Sequence, residues 1–337
     1  MHLALYQPGL GYYARRSPKF GWFAEDGSDF VTAPELSSLF GAALARQVSE
    51  ALQATQTDEI WEFGAGSGAL AEQLLRAAEQ SETAVRRYTI VDVSGALRGL
   101  QQQRLAPFGD RVRWAEALPD AMSGVIVGNE VLDAMPVKLL ARRDGAWFER
   151  GVSLQAAEPL FFWADRPTAL RPPIGIEGGD DYVTEIHPQA EAFMRTIAER
   201  LQHGAAFFID YGFPEAEYYH AQRASGTLVC HHAHRMDDNP LADVGQKDIT
   251  AHVDFTGIAL AAQDAGLTVL GYTSQGRFLL NCGLSELMQN ASIAERSRAL
   301  KLVNEHEMGE LFKVIGVAAQ AEWDACGFIT GDRIHRL

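Results

Sequence analysis

The 337-residue chain contains no run of 18 uncharged apolar residues, so no helix in it is expected to span a membrane. Cysteine is scarce. Cys230, Cys282 and Cys326 are odd in number, widely separated and form no CxxC pair, which excludes a disulfide scaffold and fits unpaired thiols in a reducing compartment. Positive charge is also short: 29 Lys+Arg stand against 44 Asp+Glu, a net charge of −15. That balance argues against duplex DNA or RNA as a partner, because phosphate binding is largely cationic. It suits a cationic substrate or a basic peptide, or simply a solvated acidic surface. The start Met1-His2-Leu3-Ala4-Leu5-Tyr6 has no basic region followed by an apolar core, so no signal peptide is expected and the chain reads as cytoplasmic. Internal repeats and low-complexity tracts are absent. The 47% hydrophobic content is that of an ordinary globular protein.

What is present begins at Ile60-Trp61-Glu62-Phe63-Gly64-Ala65-Gly66-Ser67-Gly68. An apolar run breaks into three alternate glycines, and a second run, Tyr88-Thr89-Ile90-Val91, ends in the carboxylate of Asp92. That is the layout of a strand, a glycine turn, a helix and a second strand holding an adenosine ribose. Glycine lets the backbone pass close beneath a ligand, and the helix N-terminus offers free N–H groups to an anion. Gly64, Gly66 and Ala69 also satisfy the dinucleotide spacing, so the glycines alone leave a nicotinamide cofactor open. Glu62 discriminates: an anion there holds the ammonium of a methionine moiety and repels a pyrophosphate. The cofactor favoured is therefore S-adenosylmethionine, with Asp92 accepting from the ribose hydroxyls. Glu116 and Ala117, after the third strand, sit where an adenine would be read.

The alternation from 58 to 129 predicts strands near 59–63, 87–92, 111–115 and 123–128, with helices near 67–79 and 94–104. Short connections of this kind wind right-handed into a parallel sheet. Ahead of them, residues 1–31 read as an irregular aromatic cover, and Thr32-Ala33-Pro34-Glu35 as a capping box opening one helix through about Leu52. Beyond Pro136, Arg143-Asp144-Gly145 signals a hairpin, 160–163 a further strand, and 164–181 a Pro/Gly loop. A helix near 188–202 leads to a strand at 205–210, and 211–247 looks irregular. Asp248 is read as the cap of a helix through Ala265, with strands near 267–272 and 312–318 and helices near 284–304. Four regions result: a cover and helix (1–54), a cofactor half (55–136), a hairpin and loop insertion (137–181) and the remaining sheet with substrate-side insertions (182–337).

At the end of the fourth strand stands Asn129-Glu130-Val131-Leu132-Asp133-Ala134-Met135-Pro136. Reacting groups collect at the carboxyl ends of parallel strands. Together with Gly11-Tyr12-Tyr13, Asp29-Phe30-Val31-Thr32-Ala33-Pro34-Glu35, Asp210-Tyr211-Gly212, Gly226-Thr227-Leu228, Asp248-Ile249-Thr250-Ala251-His252-Val253-Asp254-Phe255 and Met308-Gly309-Glu310-Leu311-Phe312, this stretch resembles the MidA-type class I methyltransferases over nearly the whole chain. The mitochondrial member of that family is a complex I assembly factor that methylates an arginine. Members usually carry a further segment ahead of the Leu5-Tyr6 region.

The resemblance implies a Rossmann-like α/β sheet, mostly parallel with an antiparallel edge, and S-adenosylmethionine held by Thr32, Pro34, Glu62, Gly64, Ala65, Gly66, Ser67, Gly68, Asp92, Glu116, Ala117 and Asn129. It implies a protein substrate with a target arginine, a respiratory complex I subunit being one partner. An arginine acceptor stays charged in water and is best gripped by a fork of carboxylates. Glu130 and Asp133 are the candidates for that grip, with Glu35 next and Asp210 behind them. Phe30, Tyr211 and Phe255 are candidate walls, since aromatic faces favour sulfonium and guanidinium alike. Cys230-His231-His232-Ala233-His234 lacks the separated-pair spacing of a zinc site, so no metal is expected. His252 reads as a structural histidine on a helix face and His187 as a turn residue. Two other readings remain open: a small-molecule N- or O-methyltransferase, and a cofactor-binding assembly chaperone with little catalysis.

Overall fold

A computed structural model describes residues 1–15, 31–92, 95–155, 160–177 and 181–337. Its main sheet is built from β1 (Glu59–Phe63), β2 (Arg87–Val91), β3 (Val112–Ala115), β4 (Met122–Asn129), β9 (Leu201–Phe213), β14 (Thr268–Ser274) and β15 (Phe312–Ala319). They lie in the order β14-β15-β9-β4-β1-β2-β3, and β13 (Val253–Asp254) extends the far end of β9. The five strands from β3 to β9 are parallel, whereas β15 runs antiparallel to both β9 and β14. The fold is thus α/β, mostly parallel with an antiparallel edge.

Central strands covered on both faces need continuous apolar sequence. Val125-Ile126-Val127 of β4 and Ala205-Ala206-Phe207-Phe208-Ile209 of β9 supply it, each residue at 1% exposure or less. Helices Ser38–Ala54 and Ala69–Gln80 pack on one face, and Pro188–Arg200 and Phe255–Asp264 on the other, giving two cores divided by the sheet. At the lower end of β4 and β9 the backbones nearly touch: a Cβ on Gly204 would lie 1.9 Å from the Gly124 carbonyl oxygen. Only glycine fits there.

Two smaller sheets ride on this frame. β5 (Lys138–Arg143), β6 (Ala146–Leu154), β7 (Phe161–Pro167) and β8 (Tyr182–Ile186) form an antiparallel sheet in the order β7-β6-β5-β8, and β10 (Val229–His232), β11 (Arg235–Asp237) and β12 (Asp248–Thr250) a second in the order β11-β10-β12. The turn at Asp144-Gly145 joins β5 to β6 as its sequence requires, with both residues at positive φ.

Several elements differ from the sequence expectations. The first 15 residues are ordered, with a helix at His2–Tyr6 and a 3₁₀ turn at Tyr12–Ala14. Thr32 does not cap one long helix. A single turn, Ala33–Leu36, stops at extended Ser37, whose hydroxyl accepts from Leu39 N–H (3.3 Å) and starts the helix Ser38–Ala54 afresh. Asp248 lies in β12, and the helix Phe255–Asp264 is capped by Asp254, which accepts from Gly257 N–H. The stretch 211–247 is not wholly irregular, since it holds the β10–β11 hairpin, and β7 takes in the first residues of the expected 164–181 loop. The helix Gln275–Asn281 lacked any sequence signal strong enough to be read.

Candidate functional site

The carboxyl ends of β1, β2, β4 and β9 open into a cleft of about 940 Å³, the size of a small-molecule or cofactor site. On its cofactor side Gly64, Ala65, Gly66 and Ser67 form the floor, with Asp92, Glu116, Ala117 and Leu118 beyond. Gly64, Gly66 and Gly68 take φ of 63°, 53° and 83°. A Cβ on Gly64 would sit 3.2 Å from Val131 Cγ2. Gly68 shapes the turn, donating to the Ala65 carbonyl (2.7 Å), and does not itself line the cleft.

Glu62 is buried at the cleft wall, where its carboxyl accepts from the Tyr88 hydroxyl (2.7 Å). Burial, outweighing that bond, pushes its pKa up to about 8. Burial of this kind keeps the acid neutral, and only a cation placed beside it would restore the carboxylate. The amide of buried Gln101 ties the site together: it donates to the Gly66 carbonyl (2.9 Å) and to Asp92 Oδ2 (2.9 Å), and accepts from the Trp114 indole (2.9 Å). Sequence reasoning missed Gln101. The signal was its place at helical spacing between buried Leu97 and Leu105, while Gln102 and Gln103 face water.

The reaction edge is the strand end Asn129-Glu130 and the loop to Pro136. Glu130 has φ 55°, a left-handed conformation at a non-glycine residue, the kind of strain that persists where structure around it insists. Its carboxylate accepts from Asn129 Nδ2 (2.9 Å). Burial first, then the nearby Asp133 charge, push its pKa up to about 8. Asp133 is buried, accepts from the Tyr211 hydroxyl, and is raised by burial to about 6. Asn129 Oδ1 and Asp133 Oδ1 are buried without a hydrogen-bond partner among the described residues.

Asp210 sits behind this loop rather than in the cleft. Its Oδ2 accepts the N–H groups of Val131, Leu132 and Asp133 (3.1, 2.9 and 3.2 Å), and its Oδ1 that of Tyr211 (2.9 Å). Burial and the Asp133 and Glu130 charges push its pKa up against those donors. It is a carboxyl that fixes the loop from behind and is not among the residues lining the cleft.

The roof comes from distant segments. The Tyr6 hydroxyl donates to the Ala134 carbonyl (2.9 Å) and the Tyr13 hydroxyl to Asp248 Oδ2 (2.9 Å), while the two rings stack at 5.6 Å. Tyr6, Tyr13, Tyr211, His252 and Phe312 make an aromatic lining on this side. The described lining includes seven acidic side chains (Glu35, Glu62, Asp92, Glu116, Glu130, Asp133, Asp248) and no Lys or Arg. Glu62 and Glu130 hold protons while the cleft is empty and release them when a cation binds. A low-dielectric cleft of that sign concentrates cations.

Most expected site residues meet here, and some do not. Thr32, Pro34, Glu62, Gly64, Ala65, Gly66, Ser67, Asp92, Glu116, Ala117, Asn129, Glu130, Asp133 and Tyr211 all line the cleft. Glu35 lines it too, but is committed elsewhere: it accepts from the Ser67 hydroxyl and from Arg104 Nη1 (3.0 Å), which pins the glycine turn instead of gripping an acceptor. Phe255 is core, fully buried against Tyr272 on the far side of the sheet. Phe30 lies outside the described residues. His252 is on no helix. It joins β12 to β13, stacks on Phe213 at 5.2 Å and is driven by burial to a pKa of about 4, hence neutral. His187, expected as a turn residue, is the buried N-cap residue of the helix Pro188–Arg200 and lies edge-on to Tyr218.

Buried acids with raised pKa values make the ligand-free protein lose stability as pH rises. Between the unfolded pKa near 4.5 and the folded pKa near 8, native Glu62 and Glu130 hold protons that the unfolded chain has released. His187 and His252, lowered to about 3 and 4, act with the opposite sign but chiefly below pH 6.5. From pH 6.5 to 8 the two carboxyls are joined by Asp254, which burial raises to about 7. Together they outweigh Lys313, which burial lowers to about 8, the Met1 amino group, which burial also lowers, and the last of the histidine contribution. A net loss on the order of 2 kcal/mol is therefore expected. Denaturant unfolding across that range checks it, and a flat or rising profile contradicts it.

A family model described as S-adenosyl-L-methionine-dependent methyltransferase matches residues 43–273. Among solved structures, a superfamily member and methyl-transferase candidate from Burkholderia thailandensis, bound to S-adenosyl-homocysteine, is 48% identical with a TM-score of 0.95, over 100% of this chain and 90% of that one. A native structure from the same organism is 47% identical with a TM-score of 0.90, over the same shares. Among curated proteins, "Protein arginine methyltransferase NDUFAF7, mitochondrial" of Danio rerio is 26% identical across 94% of this chain and 82% of the relative. The Homo sapiens protein of that name is 27% identical across 93% of this chain and 77% of its own length.

Proposed function

This chain belongs to the S-adenosyl-L-methionine-dependent methyltransferase family, and from that premise we propose that it methylates an arginine side chain of a protein. The observation that carries the acceptor is the cleft itself: acidic side chains and aromatic rings line it, and among the described lining residues there is no Lys or Arg. The names of the curated relatives support the same acceptor. The resemblance to the complex I assembly factor favours a respiratory complex I subunit as the protein that carries it.

The residues fit the cofactor. Gly64 leaves a cradle that a Cβ would fill, buried Glu62 awaits an ammonium, and Asp92 is aimed by Gln101. When bound, the cofactor supplies an electrophilic methyl on a sulfonium. The protein's share is geometry and charge. Glu130 and Asp133, held by Asn129 and Tyr211, grip the two ends of a guanidinium, and Asp210 fixes the loop on which they stand. Holding acceptor and donor in line supplies much of the acceleration. A guanidinium nitrogen that gains a carbon must shed a proton, and a carboxyl of raised pKa takes it up. Asn129 Oδ1 remains to accept from the ammonium or the acceptor.

Incubation with labelled S-adenosylmethionine and a lysate of cells lacking the protein is expected to label one discrete band. Hydrolysis of that band is expected to release the label as methylarginine. Label in another amino acid, or in small molecules alone, refutes the arginine reading while leaving methyl transfer in place.

A further inference from the structure

The arm formed by β5–β8 carries a surface that the active site does not use. β7 is its outermost strand, with no strand beyond it among the described residues. The bonds Gln155 N–H to Leu160 O (3.0 Å) and Thr168 N–H to Trp147 O (3.4 Å) set the pairing parity with β6. The even-numbered residues of β7 therefore bond β6, and Phe161, Trp163 and Asp165 turn their N–H and C=O groups outward. Pro167 has no N–H, so any added pairing ends there.

The register Leu154↔Phe161 and Val152↔Trp163 gathers four apolar side chains on one face of the hairpin. They are exposed by 56, 45, 52 and 37% respectively. An exposed apolar edge is a liability that native proteins cover or block.

We propose that this arm docks onto a second copy of the chain, β7 pairing antiparallel with the same strand across a two-fold axis. The pairing groups at 161, 163 and 165 are centred on Trp163, so the edge is complementary to itself, as a two-fold contact requires. Charge selects the same occupant. Residues 137–181 carry six Lys+Arg against seven Asp+Glu, whereas the rest of the chain carries 23 against 37. The arm's charges are also spent on one another: Arg150 and Arg143 pair with Asp165 (both 2.9 Å), and Arg166 and Lys138 with Glu149 (2.7 and 3.2 Å). Two strongly acidic bodies repel each other, and this near-neutral apolar arm is where they meet at least cost. A basic partner protein would instead be drawn to the acidic body.

Sedimentation of the full chain at about 1 to 50 µM is expected to give twice the monomer mass. Phe161→Lys combined with Trp163→Lys is expected to weaken the dimer by about 100-fold or more, since aromatic anchors dominate such contacts. Leu300→Lys, at a residue exposed by 53% on a helix away from the arm, makes one apolar-to-lysine change of the same kind and is expected to leave the mass unaltered. Binding of S-adenosyl-homocysteine by each variant reports that it is folded. A monomeric wild type overturns the proposal, and so does a dimer that survives the double substitution in a folded variant.

Discussion

Glu130→Gln and Asp133→Asn are each expected to lower the rate of methyl transfer by about 10²- to 10⁴-fold, the range seen when a positioned proton acceptor is removed. Both amides keep the size of the side chain, but neither keeps the charge that holds a guanidinium nor the lone pair that takes its proton. The amide introduced at position 130 can still bond Asn129, and the one introduced at position 133 can still accept from Tyr211, so the loop on Asp210 should hold its shape. Affinity for S-adenosyl-homocysteine is therefore expected to stay within about 3-fold, a change under about 1 kcal/mol. Because the two acids act on one group, the double variant should fall well short of the product of the single effects. Single-turnover rates with cofactor affinity measured alongside give the test. A variant retaining half the wild-type rate removes that residue from the acceptor site, and unimpaired function in both favours a chaperone role.

Gly64→Val is expected to weaken S-adenosyl-homocysteine binding by about 100-fold or more, close to ~2.7 kcal/mol. Two costs combine. The φ of 63° forces a β-branched residue into left-handed backbone, at about 1–2 kcal/mol. The new side chain meets Val131 Cγ2, 3.2 Å from the first added carbon, and occupies the floor over which the cofactor passes. The collision also presses on the loop that carries Glu130 and Asp133. Calorimetry decides it, with the thermal midpoint as a control for folding. Near-normal affinity in a folded variant places the cofactor somewhere other than this turn.

Much of the cofactor half was legible in sequence because its determinants are local. Alternate glycines, the apolar runs of β1, β2 and β4, and a carboxylate at a strand end act through backbone dihedrals and strand edges, which a short segment fixes alone. The misread elements were those with competing local options. Thr32 and Ser37 both have capping hydroxyls, and only Ser37 is used. Asp248 and Asp254 both precede the same helix, and the strand pairing of 248–250 with β10 left the cap to Asp254.

Local pattern was enough for the α/β sheet, the glycine turn with its flanking acids, and the group of polar residues after β4. Tertiary structure alone decided what each acid does. Glu35 meets Arg104 across 69 positions, Asp210 meets the 131–133 amides across 77 to 79, Tyr6 meets Ala134 across 128, and Tyr13 meets Asp248 across 235. Whether a carboxylate is neutralised, made a scaffold or left facing a cleft depends on partners and burial. Those are set by packing between segments far apart in the chain, where local pattern carries no information.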